Sequence, residues 1–71
     1  MIDFTVKEDF IELIKLLKLE GIADSGAEAK QLVNDLQVKV NGVVEERKRA
    51  KLRVNDVVSV SQIQIKIIDK I

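Results

Sequence analysis

Ser25-Gly26-Ala27-Glu28-Ala29-Lys30-Gln31-Leu32-Val33-Asn34-Asp35-Leu36-Gln37-Val38-Lys39-Val40-Asn41 holds a helix start, a helix face, a strand and the first residue of a turn in unbroken succession. Ser25 with Glu28 three residues on forms a capping box, in which the serine oxygen accepts from a free N–H of the first turn. Ala29, Leu32, Val33 and Leu36 recur at helical spacing, which predicts a helix from about Gly26 to Asp35 with one stripe turned inward. Val38 and Val40 alternate with Lys39 as in a half-buried strand. Asn41-Gly42 follows as a pair that accepts the positive φ angles of a type I′ hairpin turn.

Working back from this stretch, Gly21 supplies a left-handed residue just past an earlier helix, and Ile22 helps close the angle between the two. That first helix is expected to start at an Asp9 cap and run through Leu19. Phe10, Leu13, Ile14 and Leu17 form its inward stripe, widened by Ile11, Leu16 and Leu19. Ile2, Phe4 and Val6 alternate with Asp3, Thr5 and Lys7, the pattern of a strand. Working forward, the run Arg47-Lys48-Arg49-Ala50-Lys51-Leu52-Arg53 is expected as a bent loop or irregular strand, because Leu52 is its only large apolar residue. Asn55-Asp56 marks a turn, Val58 and Val60 a strand, and Ile63, Ile65 and Ile67 a final one. The fold class that results is α+β, two helices packed on a small, mostly antiparallel sheet.

The 71 residues contain neither cysteine nor histidine, so no disulfide framework or usual zinc site is available to staple the chain. Stability must come from aliphatic burial, for which a 46% hydrophobic content supplies the material. The N-terminus lacks the basic flank and long apolar stretch of a secretory signal, and no apolar run approaches the ~20 residues that span a bilayer. A cytoplasmic protein, a single domain over residues 1–71, is the expectation. Net charge is zero but unevenly spread: residues 1–28 hold seven acids and three bases, residues 29–71 five acids and nine bases. The basic half can attract a polyanion within a Debye length of ~8 to 10 Å while the acidic half limits promiscuous adhesion.

Enzyme chemistry finds little to work with. The common general base and thiolate nucleophile are missing, three scattered glycines make no phosphate loop, and Glu45 and Glu46 on an extended segment point to opposite faces. No cofactor or small-molecule substrate is expected. A rival reading is a protein-interaction module, in which the strand from Ile63 to Ile68, followed by Ile71, offers an apolar edge to a partner.

The ordered set Ser25, Ala29, Leu32, Val33, Val38, Val40, Asn41, Gly42, Arg47 to Lys51, Asp56 and Val58 resembles the RNA-binding domain named after the fourth small-subunit ribosomal protein, the alpha-L motif. With the preceding helix the likeness covers about residues 10–60. It is greatest to the small stand-alone bacterial members, where Ser-Gly-x-Glu-Ala-Lys opens the second helix, as Ser25 to Lys30 do here. Leu36 stands where many relatives carry glycine, Asn55-Asp56 where a Gly-Asp pair is usual, and Gly26 where larger relatives often have arginine.

The resemblance implies a surface for structured RNA, ribosomal or transfer, built from the second helix and the strand-turn after it. It places Ser25, Gly26, Lys30, Gln31, Lys39, Asn41, Arg47, Lys48, Arg49 and Lys51 there. Backbone N–H groups near Ser25 and Gly26 and the long cations suit phosphates, and cations from separate parts of the chain are expected to converge beside one helix tip. Phe4 and Phe10, the only aromatics, fall at positions expected to be buried, which leaves no platform for unpaired bases. A monomer that reads shape is the expectation.

Overall fold

The computed structural model describes residues 1–69; Ile71, part of the expected apolar edge, lies outside them. Nine elements follow in order: β1 (Ile2–Val6), β2 (Ile11–Glu12), α1 (Leu13–Leu19), α2 (Gly26–Asn34), β3 (Val38–Val40), β4 (Val43–Val44), β5 (Lys51–Leu52), β6 (Val57–Val60) and β7 (Ile63–Asp69). A five-stranded sheet has the order β1-β7-β6-β3-β4, and β2 pairs separately with β5. Only β1 and β7 run parallel within the large sheet, so the expected α+β architecture holds.

The period-2 pattern of the strands sets which face is covered. Val38, Val58, Val60, Ile65 and Ile67 are buried and pack with Leu13, Leu16, Leu17, Ala29 and Val33 from the helices. Lys39, opposite Ser59 on β6 and Val44 on β4, occupies an intervening, exposed position, and Gln64 opposite Ser59 does likewise. The core is wholly aliphatic. No buried polar or charged residue is found among the described residues.

The first helix departs from the expectation. Ile11 and Glu12 are captured by β5, Ile11 opposite Leu52 and Glu12 opposite Lys51, so α1 begins only at Leu13. Asp9 therefore caps nothing. The cap position falls to Glu12, whose side chain makes no capping bond, and the N–H of Leu13 donates to the Ala50 carbonyl at 2.9 Å. A tertiary backbone bond has replaced a local side-chain cap. Leu19 is 58% exposed rather than part of the inward stripe.

The second helix starts as read, with Glu28 N–H donating to Ser25 Oγ at 3.1 Å. Its end explains Leu36. The Leu36 N–H donates to the Val33 carbonyl and the Gln37 N–H to the Leu32 carbonyl, both at 3.1 Å, which is the Schellman pattern with Leu36 in the left-handed position at φ 60°. The first helix ends through the same two bonds, with Gly21 in the equivalent place at φ 74°. Leu36 thus performs a glycine's backbone task and stands 55% exposed, outside the stripe to which its spacing assigned it.

The Ile-rich strand is no edge. β7 lies between β1 and β6, with Ile65 matched to Ile2 on one side and Val58 on the other, which removes the apolar edge that the interaction-module reading required.

Candidate nucleic-acid interface

The segment after the first hairpin alternates. Ala50 and Leu52 are buried, at 4% and 1% exposure, while Arg49, Lys51 and Arg53 between and beside them are exposed. From Ala50 to Arg53 the extended backbone puts successive side chains on opposite sides, so the two apolar anchors hold the ribbon down while Lys51 and Arg53 stand out from it. Arg47, Lys48 and Arg49 are exposed on the turn before it, which Ala50 N–H closes onto the Arg47 carbonyl. The pairing of β5 with β2 and the bond from Leu13 to Ala50 fix this ribbon against the start of α1. The result is a depression of about 650 Å³ lined by Arg47, Arg49, Ala50, Lys51 and Arg53.

Two acids temper one end. Glu45 accepts from Arg47 Nε and Nη2, both at 3.1 Å, and from the Arg47 backbone N–H at 3.0 Å. These bonds, led by the guanidinium, hold the Glu45 carboxyl below its ordinary value and raise the Arg47 guanidinium above its own. Arg47 is therefore half committed to an internal partner, while Glu46 is exposed. Arg49, Lys51 and Arg53 have no acid within ion-pair distance among the described residues.

At the other end stands Phe10. The Lys51 Nζ lies 4.9 Å and the Arg53 guanidinium carbon 5.7 Å from its ring centroid, both within cation–π range. Phe10 was expected in the core; the loss of the first turn of α1 leaves its ring only part-buried, and Phe4 is likewise part-buried. The cations beside Phe10 are held by a ring rather than left as free tethers.

The remaining candidates divide. Ser25 is a cap, with its oxygen engaged by Glu28 N–H. Gln31 donates to Asp35 Oδ1 at 2.9 Å along its own helix. Asn41 turns toward the body: its Nδ2 donates to Asp56 Oδ1 at 3.0 Å and its Oδ1 accepts from Val57 N–H at 2.9 Å, so it braces two turns together. Lys30, Lys39 and Lys48 are exposed, and Gly26 opens α2, but none of them lines the depression. The cationic wall comes from one segment, not from the convergence of several. Arg53, left out of the sequence-based selection, belongs to it; the signal was the spacing of two residues linking Arg47, Arg49, Lys51 and Arg53.

Fold and surface together define the class: a two-helix α+β domain that carries a cationic ribbon beside its first helix. The chain belongs to the S4 domain family, whose model matches residues 4–68. It is 51% identical over 53 residues to the Escherichia coli (strain K12) protein named "Putative RNA-binding protein YbcJ", a match that spans 75% of this chain and 76% of that one. The Shigella flexneri "Uncharacterized protein YbcJ" matches to the same extent. Among solved structures, the solution structure of YbcJ from E. coli, described as revealing an alfaL motif involved in RNA-binding, superposes with a TM-score of 0.73. That likeness has 42% sequence identity and covers 96% of this chain and 87% of that one.

Proposed function

We infer that this chain is a non-catalytic RNA-binding protein, one domain over residues 1–71, that grips structured RNA through its phosphates. The observation that carries the reading is the depression walled by Arg47, Arg49, Lys51 and Arg53, in which only Arg47 makes a side-chain ion pair among the described residues, while the Arg53 backbone N–H donates to Asp56 Oδ2 at 2.8 Å. Guanidinium groups engage phosphate through two donors and lysine adds a mobile charge, so a curved backbone is a fitting occupant. Family membership and the name of the E. coli relative support RNA as the polyanion. Ribosomal or transfer RNA in the cytoplasm, met by a monomer, is the setting this reading favours. Lys30, Lys39 and Lys48 extend the field around the depression, while Ser25 and Asn41 serve it by holding the backbone in place.

Salt titration of binding to a folded RNA hairpin tests this. Three or four phosphate contacts give a log-log slope of about −2 to −4, at ~0.7 to 0.9 per contact. Binding that ignores salt, or no binding to RNA at low salt, refutes the reading.

A further inference from the structure

A second hollow, of about 540 Å³, is lined by residues from β1 to α1, and its apolar lining includes Phe4, Val6, Phe10, Ile11 and Leu19. That volume falls in the range of small-molecule sites and exceeds what one planar ring fills. Lys7, Glu8, Glu12 and Lys15 supply a polar margin of both signs. Phe10 belongs to this hollow and is at the same time the ring beside which Lys51 and Arg53, two walls of the cationic depression, are held. A recess of mixed lining, which includes two aromatic rings, and a cationic ribbon are thus joined through a single side chain.

We propose that the Phe4–Phe10 hollow takes one unpaired base of a structured RNA while Lys51 and Arg53 hold the phosphates flanking it. The inference rests on the RNA-binding reading and narrows it to RNA that carries a bulged or looped-out nucleotide. Its ground is complementarity of two kinds in the right order. A nucleotide joins a flat apolar face to an anion through one sugar, and here a part-buried aromatic ring adjoins two cations whose heads lie 4.9 and 5.7 Å from its centre. Stacking on an aromatic ring suits any base, and the Glu8 and Glu12 carboxylates at the margin can accept from exocyclic amino groups such as N4 of cytosine. Lys51 and Arg53 are already ordered over the ring, which limits the rotamer freedom lost when RNA arrives.

The test compares two hairpins of equal length and charge, one fully paired and one with a single bulged 2-aminopurine, bound to the intact chain. The bulged hairpin should bind about ten-fold tighter, and the fluorescence of its 2-aminopurine should be quenched on binding as the base stacks. Phe10→Leu keeps an apolar side chain but removes the ring; with a native circular dichroism spectrum, it should bring both hairpins to the affinity of the paired one and leave the fluorophore bright. Equal affinity of the wild-type chain for both hairpins overturns the proposal and leaves the RNA-binding reading standing. Binding to neither overturns both. A bulge preference that persists unchanged in folded Phe10→Leu places the base elsewhere and overturns the assignment to this hollow. Should Phe10→Leu fail to fold, Leu19→Glu, at an exposed side chain of the same hollow, is the second probe: a carboxylate there should erase both the bulge preference and the 2-aminopurine quenching, and a preference left unchanged overturns the assignment to this hollow.

Discussion

Two polar surface segments of this small domain, the turn at Asn41-Gly42 before β4 and the charged stretch Glu45 to Ala50 after it, behave in opposite ways. The first is drawn inward. Asn41 and Gly42 take φ of 53° and 84°, and the Asn41 amide is tied at both ends, to Asp56 and to Val57 N–H, while its own N–H donates to the Val57 carbonyl at 2.7 Å. The second is fastened at its ends, by Glu45 N–H to the Val38 carbonyl and Leu13 N–H to the Ala50 carbonyl, both at 2.9 Å, and between them by Glu45 to Arg47 and a 3.3 Å bond from Ala50 N–H to the Arg47 carbonyl, while its cations are exposed. One loop therefore uses its polar atoms to position strands and the other leaves its cations in solvent. A short amide is desolvated at little cost when both its ends are bonded, here to the neighbouring turn, whereas a long cation costs too much to desolvate and stays in water.

Substitutions can break or sharpen that contrast. The largest effect belongs to the anchor of the presenting segment: Leu52→Ala, at a side chain 1% exposed, should destabilise the domain by about 2 to 5 kcal/mol in urea unfolding. A domain of this size has a stability of only a few kcal/mol to lose. Asn41→Ala should cost about 1 to 2 kcal/mol by the same measurement, because two hydrogen bonds disappear, while the folded fraction keeps its RNA affinity. A loss of affinity beyond the loss of folded protein would show that Asn41 does touch RNA.

The double change Arg49→Ala with Arg53→Ala should leave stability within about 0.5 kcal/mol of wild type, as expected of exposed side chains. Filter binding should show weaker capture of structured RNA and a salt slope smaller in magnitude by roughly 1.5. Equal slopes would remove the ribbon from the interface. Leu36→Gly, at the helix exit that leads into the braced hairpin, should raise stability by about 0.5 to 1 kcal/mol, the left-handed penalty of leucine less the entropy cost of glycine. Gly21→Leu is the converse. Nothing lies within 4 Å of a Cβ built there, so its cost of about 1 to 2 kcal/mol is conformational and measures what Leu36 now bears.

The smallest effect is electrostatic. Glu45 titrates below its ordinary 4.5 in the folded chain, chiefly through its bond to Arg47, so the pair's contribution is complete above that value. It fades as pH falls through the lowered value. Glu45→Gln should flatten this acid limb of stability slightly and, by freeing Arg47, strengthen RNA binding at neutral pH.

Much of this was legible in the residues. Ser25 with Glu28 and Gly21 act through bonds to neighbours a few positions away, the valines of β3 and β6 through the period of the strand and Asn41-Gly42 through the φ angles of its turn, and their geometry came out as read. The first helix misled because Asp9, a good cap by type, competes with a strand forty residues distant. Leu36 misled because helical spacing assigns a face to any apolar residue, while the Schellman bonds had already ended the helix.

What the chain alone determined was the kind of domain: two helices, a hairpin, an aliphatic core and a cationic run, all fixed by short-range hydrogen bonding and by the period of apolar residues. What only the folded molecule decided was which polar side chains are spent on bracing and which are shown, and that Phe10 ends between two hollows rather than in the core. Those outcomes depend on contacts between β2 and β5 and between Asn41 and Asp56, far apart in sequence. Pairing over such distances is chosen by the free energy of the whole packed structure, which no local pattern encodes.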